Sequence, residues 1–234
     1  MKTMIISDIA LMKPQLRSSI LIYLLVALFM IAITRNNSAD DMAFRIAATI
    51  LTVMIPYTLM YTIADIEDKS GWSQLRATLP ISRKETVLGR YATAALVSFA
   101  TMIGTIVVIT VCYLIMQGLS GIFTSLGQYR LSGEAFGRIV TSSFCGTCVT
   151  LFLCGIMLPL AMKFGMTKAA RYITLAFILF IILGTMLVSF IQSHFGFRLV
   201  TALDSLSSVI PFAGILVFLA SIPLSLYLYR TREL

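Results

Sequence analysis

Six stretches of this 234-residue chain are long, apolar and free of Asp and Glu: Ser18–Thr34, Phe44–Ala64, Tyr91–Gln117, Ile139–Met162, Tyr172–Phe190 and Val209–Tyr229. Runs of this kind match the roughly 20 residues an α-helix needs to cross the hydrocarbon of a bilayer. In hydrocarbon every backbone N–H and C=O must be bonded within the protein, so only helices and closed barrels cross it. The runs are continuous rather than alternating, which selects the helix. The expected fold is an all-α integral membrane protein with six transmembrane helices, a single domain over residues 1–234. Composition agrees: 59% of the residues are hydrophobic and 12% charged, where a soluble domain carries about a quarter charged.

The positive charges set the orientation. The formal net charge is +8. The basic residues lie between the apolar runs and form no continuous basic face, so they read as membrane-lipid anchors and no nucleic-acid partner is expected. With the N-terminus inside, Lys2, Lys13, Arg17, Lys69, Arg76, Arg83, Lys84, Arg90, Lys163, Lys168, Arg171, Arg230 and Arg232 are cytoplasmic. Of the 18 Lys and Arg, only Arg35, Arg45, Arg130, Arg138 and Arg198 are then left outside. That asymmetry places both termini in the cytoplasm of a multi-pass protein of the cytoplasmic (inner) membrane. Residues 1–17 precede the first run, and Arg35-Asn36-Asn37 follows it without a small-x-small site, so a cleaved signal peptide is not expected.

Within residues 1–17, Met4, Ile5, Ile9, Leu11 and Met12 are apolar while Lys2, Asp8, Lys13 and Arg17 are polar. This predicts an amphipathic helix lying at the inner interface and broken by Pro14 before the first span. Pro56, Pro211 and Pro223 fall mid-span and Pro159 near an inner end, each removing a backbone donor. Ala100-x-x-x-Gly104 and Gly146-x-x-x-Thr150 have the spacing that lets membrane helices approach closely. Cys112, Cys145, Cys148 and Cys154 all fall inside apolar runs and read as small packing residues. The Cys145-x-x-Cys148 pair has no second pair or nearby His to complete a zinc set. His194, the single histidine, reads as an exposed outer-loop residue.

The longest cytoplasmic connection, residues 65–90, is the most informative segment. It opens on Asp65, Glu67 and Asp68, and Ser70-Gly71 is a turn or cap signal. Trp72 to Leu79 has room for two helical turns closed by Pro80, with Trp72, Leu75 and Leu79 on one apolar face and Arg76 beside it. Ser82-Arg83-Lys84-Glu85 fits a capping box that starts the next helix. Periodicity alone leaves two roles for Trp72, the chain's only tryptophan: a lipid-interface anchor or a protein-docking residue. The cap signals and the proline stop favour a preformed docking element.

The run D-x-E-x-x-S-G-W-x-x-L-x-x-T-L-P-I-S-R-K-x-x-V-x-G-R-Y, Asp65 through Tyr91, resembles the signature of small ABC-2-type transporter permeases. More narrowly it resembles the bacterial six-helix subunits of the phenol-soluble modulin exporter kind. The resemblance implies that this segment joins helices two and three and holds a coupling helix that docks into a groove of a separate ATP-binding-cassette ATPase subunit. Trp72, Leu75 and Leu79 would then be the apolar plug. Gly71 and Pro80 would set its ends, and Arg76, Arg83 and Lys84 would make charged contacts. The family also implies an N-terminal interfacial helix.

No G-x-x-x-x-G-K-[ST] occurs in the chain, so ATP and Mg²⁺ would be bound by the partner ATPase and this chain would carry no cofactor of its own. All ten acids lie outside the six runs, which argues against a proton- or sodium-coupled carrier. No acid cluster accompanies His194, which argues against a membrane enzyme. The expected function is the permease half of an ATP-driven exporter, paired with a second identical or related permease. The apolar spans, with Ser and Thr hydroxyls, suit an amphipathic peptide, a lipid or a hydrophobic drug. Two other classes stay open: a non-transporting immunity or sensor component of the same fold, and an energy-independent channel or carrier.

Overall fold

The computed structural model describes residues 2–34, 41–70, 82–122, 133–165, 168–169, 172 and 210–230. Their long helices are α1 (Lys2–Thr34), α2 (Asp41–Lys69), α3 (Arg83–Ile122), α4 (Gly133–Phe164) and α5 (Ile210–Arg230), and no strand occurs among the described residues. Four stretches are long and apolar enough to cross a membrane: Phe44–Lys69, Lys84–Ile115, Gly133–Phe164 and Phe212–Tyr229. They contain or nearly coincide with the second, third, fourth and sixth apolar runs. The first run forms the second half of α1. The fifth run lies outside the described residues except for Tyr172, and so does His194.

The break expected at Pro14 does not occur, because α1 continues through it for 33 residues. Residues 2–17 are the first half of one long helix and do not form a separate helix ending at Pro14. A proline removes one ladder bond, but neighbouring helices and hydroxyl side chains make it tolerable in helices of this kind. Here Asp8, Met12 and Ser19, on either side of Pro14, are all buried, so tertiary contact outweighs the local penalty. Pro211 is the second described residue of α5, and the residues before Ile210 lie outside the described ones.

Contacts gather into two units, Met1–Ile63 with Gly89–Leu151 and Ala64–Leu88 with Phe152–Leu234. In the first unit, Pro56 lacks the N–H that would bond the Thr52 carbonyl. Thr150 of α4 supplies a substitute: its Oγ1 lies 3.0 Å from both the Thr52 and the Gly146 carbonyl oxygens and shares its proton between them. Gly146 makes this approach possible. A Cβ there would stand 3.0 Å from Thr52 Cβ and 3.1 Å from the Thr49 carbonyl oxygen. The Gly146-x-x-x-Thr150 motif is therefore the α2–α4 contact itself. Phe44 and Tyr113 add an aromatic contact between α2 and α3, with centroids 5.1 Å apart.

Gly146→Val is expected to push α4 off α2 and to destabilise the fold by about 2 kcal/mol, the usual scale of overpacking. A lowered unfolding midpoint in detergent would show it. An unchanged midpoint would mean that the two helices do not depend on this contact.

In the second unit, Gly155 lets α4 meet α5. A Cβ there would lie 3.1 Å from Phe218 Cα. Ser221 Oγ donates to the Phe218 carbonyl at 2.8 Å, so its buried hydroxyl is satisfied within α5.

Candidate functional site

The connection between α2 and α3 is framed by two well-built helix ends. At the end of α2, Ser70 N–H and Ser70 Oγ both donate to the Ile66 carbonyl, at 2.9 and 2.6 Å, and close the last turn. This is the stop that the Ser70-Gly71 signal predicts. Lys69 Nζ pairs with Asp65 Oδ2 at 2.7 Å, one turn back on the exposed surface. Such an i,i+4 pair adds a few tenths of a kcal/mol at most.

Asp68 faces the end of α4. Gly165 closes α4 with φ +79°, and its N–H donates to the Ala161 carbonyl at 3.0 Å. A side chain at 165 would start 2.7 Å from Asp68 Oδ1. Two requirements therefore meet at Gly165: a left-handed backbone that glycine adopts without strain, and room for the Asp68 carboxylate.

At the start of α3 the predicted capping box is present in both directions. Glu85 N–H donates to Ser82 Oγ at 3.2 Å, and Ser82 N–H donates to Glu85 Oε2 at 3.4 Å. Each bond satisfies a donor that a helix start otherwise leaves bare. Arg83 is the first residue of α3, and Lys84 follows it, exposed. Gly71, Trp72, Leu75, Arg76, Leu79 and Pro80 lie outside the described residues. Of the candidate docking residues, Arg83 and Lys84 are thus placed on a capped helix start.

Two turns further along α3 is a feature that pattern reading missed. Arg90 is 4% exposed and Asp8 of α1 is fully buried, with Nε 3.7 Å from Oδ2. Thr93 Oγ1 lies 3.2 Å from the same carboxylate oxygen and 2.9 Å from the Gly89 carbonyl. Asp8 therefore turns away from water and into the protein, which corrects its assignment to the solvated face of an interfacial helix. The reason is its partner: a carboxylate is stable there only beside a cation and a hydrogen-bond donor. A lone acid within an otherwise apolar stretch, and an Arg inside the G-R-Y end of the motif, were the available signals. The pair ties α1 to the same helix that leads out of the connecting segment.

No curated protein matches the chain. The description "ABC-2 family transporter protein" matches residues 3–230, nearly the full length, on a chain whose described residues are helical and include four stretches able to cross a membrane. The chain belongs to the ABC-2 family of transporter proteins and is a membrane permease of that family.

Proposed function

We propose that this chain is the permease subunit of an ATP-driven exporter whose engine is a separate ATP-binding-cassette ATPase binding ATP and Mg²⁺. The observation that carries the reading is the family match over residues 3–230. The helix ends that frame residues 71–81 support it, since a segment held between a closed α2 and a capped α3 can deliver force to both. In this reading the chain has six transmembrane helices and both termini in the cytoplasm, and residues 65–90 face the ATPase. The helix formed by residues 72–79 docks into the ATPase through Trp72, Leu75 and Leu79. Gly71 and Pro80 bound it, with Arg76, Arg83 and Lys84 at its charged edge. A second permease, identical or related, completes the pathway.

The mechanism follows from how the helices are joined. ATP-driven closure of two ATPase subunits displaces the docked segments. The capped start of α3 carries that displacement into a helix of 40 residues, and the buried Asp8–Arg90 pair makes α1 move with it. Cargo is amphipathic or hydrophobic: a peptide, a lipid or a drug.

The test is ATP turnover of the co-expressed complex in vesicles, measured against a panel of amphipathic peptides, lipids and hydrophobic drugs. Stimulation by one class, requiring both subunits, is the expected result. Turnover indifferent to the whole panel would point to a non-transporting sensor or immunity component. Cargo movement without the ATPase would point to a channel or carrier.

A further inference from the structure

A cavity of about 350 Å³ lies within the first unit, between α1, α2 and α3. Its volume falls in the range of small-molecule sites. Its walls are mostly aliphatic, from residues such as Ile9, Met12, Leu16, Ile55, Leu59 and Leu96. The hydroxyls that reach it are already committed. Ser19 Oγ donates to the Gln15 carbonyl at 3.0 Å, and Thr101 Oγ1 lies 2.9 Å from the Val97 carbonyl. Tyr23 OH lies 3.1 Å from Thr105 Oγ1, and Thr93 Oγ1 is engaged with Asp8 and the Gly89 carbonyl. A sugar, an ion or a peptide backbone would find no free donor among the described residues and would lose its own water. A hydrocarbon chain loses nothing there. At roughly 30 Å³ per methylene, about the volume of a liquid water, the space holds on the order of ten carbons.

The mouth of the cavity identifies the source of that chain. Leu16 and Leu96, which line it, are 41% and 55% exposed. In a bilayer such surfaces face lipid. Lys13 and Arg17, one turn apart on α1 and both exposed, flank Leu16, so two cations border this apolar rim. Asp8 meets Arg90 and Thr93, and Tyr23 meets Thr101 and Thr105, so α1 and α3 run side by side in the same direction. The 40 residues of α3 span about 60 Å, twice the hydrocarbon thickness. About half of α3 therefore stands outside the hydrocarbon, and Lys13 and Arg17 mark the headgroup boundary beside it.

We propose that this cavity is a binding site for an anionic phospholipid of the surrounding membrane. One acyl chain lies between α1, α2 and α3, and the phosphate rests against Lys13 and Arg17. The site is independent of ATP coupling and of the exported cargo. Gly104 gives the means to close it, because a Cβ there meets only Tyr23 OH, at 3.8 Å, so a longer side chain grows into the cavity.

The experiment is native mass spectrometry of the purified full chain in detergent, titrated with phosphatidylglycerol or with phosphatidylcholine bearing the same acyl chains. The wild-type chain is expected to retain one phosphatidylglycerol at about tenfold lower concentration than phosphatidylcholine, in line with two cations near the headgroup. Lys13→Gln with Arg17→Gln removes that preference. Gly104→Leu removes retention of both lipids, while Gly104→Ala keeps it. Ala100→Leu, at the rim, serves as a second block should Gly104→Leu misfold. Equal retention of the two lipids by the wild-type chain would overturn the proposal. So would a preference that survives loss of both cations, undiminished retention in the blocked variants, or capture of an amphipathic peptide in place of lipid.

Discussion

Asp8→Ala is expected to lower the unfolding midpoint of the detergent-solubilised chain by about 10 °C, corresponding to roughly 3–5 kcal/mol for a stranded buried charge. The guanidinium of Arg90 is 4% exposed, and Asp8 is its buried counter-charge at 3.7 Å. Removing the carboxylate takes a buried counter-charge away from a guanidinium that water does not reach. Arg90→Met is expected to cost a similar amount from the other side, because Asp8 is fully buried. The double variant Asp8→Leu with Arg90→Met is expected to regain most of the loss, since a buried pair replaced as a whole by apolar side chains of similar volume is often neutral. Scanning fluorimetry on wild type, Asp8→Leu, Arg90→Met and the double variant measures the coupling directly. Single variants within about 2 °C of wild type would show that the pair does not hold α1 to α3.

The parts of the fold legible in the sequence are those fixed by neighbours in the chain. The apolar runs mark the helices because burial in hydrocarbon leaves the backbone no alternative. Ser82 and Glu85 announce the start of α3 because both bonds of a capping box close within three residues. Ser70 marks the end of α2 for the same reason. The Gly146-x-x-x-Thr150 spacing marks a close helix contact, but its partner is not legible. Thr52 is 98 residues from Thr150, and the contact matters because Pro56 leaves the Thr52 carbonyl without its own N–H.

Distance along the chain also explains the errors. Pro14 reads as a helix break when the segment is taken alone, yet α1 continues because its buried face is held against α3, by Asp8 with Arg90 and by Tyr23 with Thr105. Asp8 reads as solvated because Thr93 and Arg90, which bury it, both lie more than about 80 residues away along the chain. Of the candidate docking residues, Arg83 and Lys84 belong to the described helices, while the apolar plug is argued from the i, i+3, i+7 spacing of Trp72, Leu75 and Leu79.

The second large effect concerns that plug. A buried Trp and a buried Leu at the centre of a small interface are each worth about 2 kcal/mol or more. On the proposed docking, replacing both by Glu also places two carboxylates in an apolar socket. Together these changes are expected to raise the dissociation constant by about a thousandfold or more, enough to lose the complex during purification. Membrane insertion is expected to be unaffected, since Trp72 and Leu75 lie between the second and third apolar runs of the sequence and outside both.

Affinity purification of the tagged permease from cells that also express its ATP-binding-cassette ATPase tests the whole account most directly. The account predicts that the ATPase co-elutes with the wild-type chain and is absent from Trp72→Glu/Leu75→Glu, with equal amounts of both permeases in the membrane fraction. Undiminished ATPase alongside the double variant would contradict it.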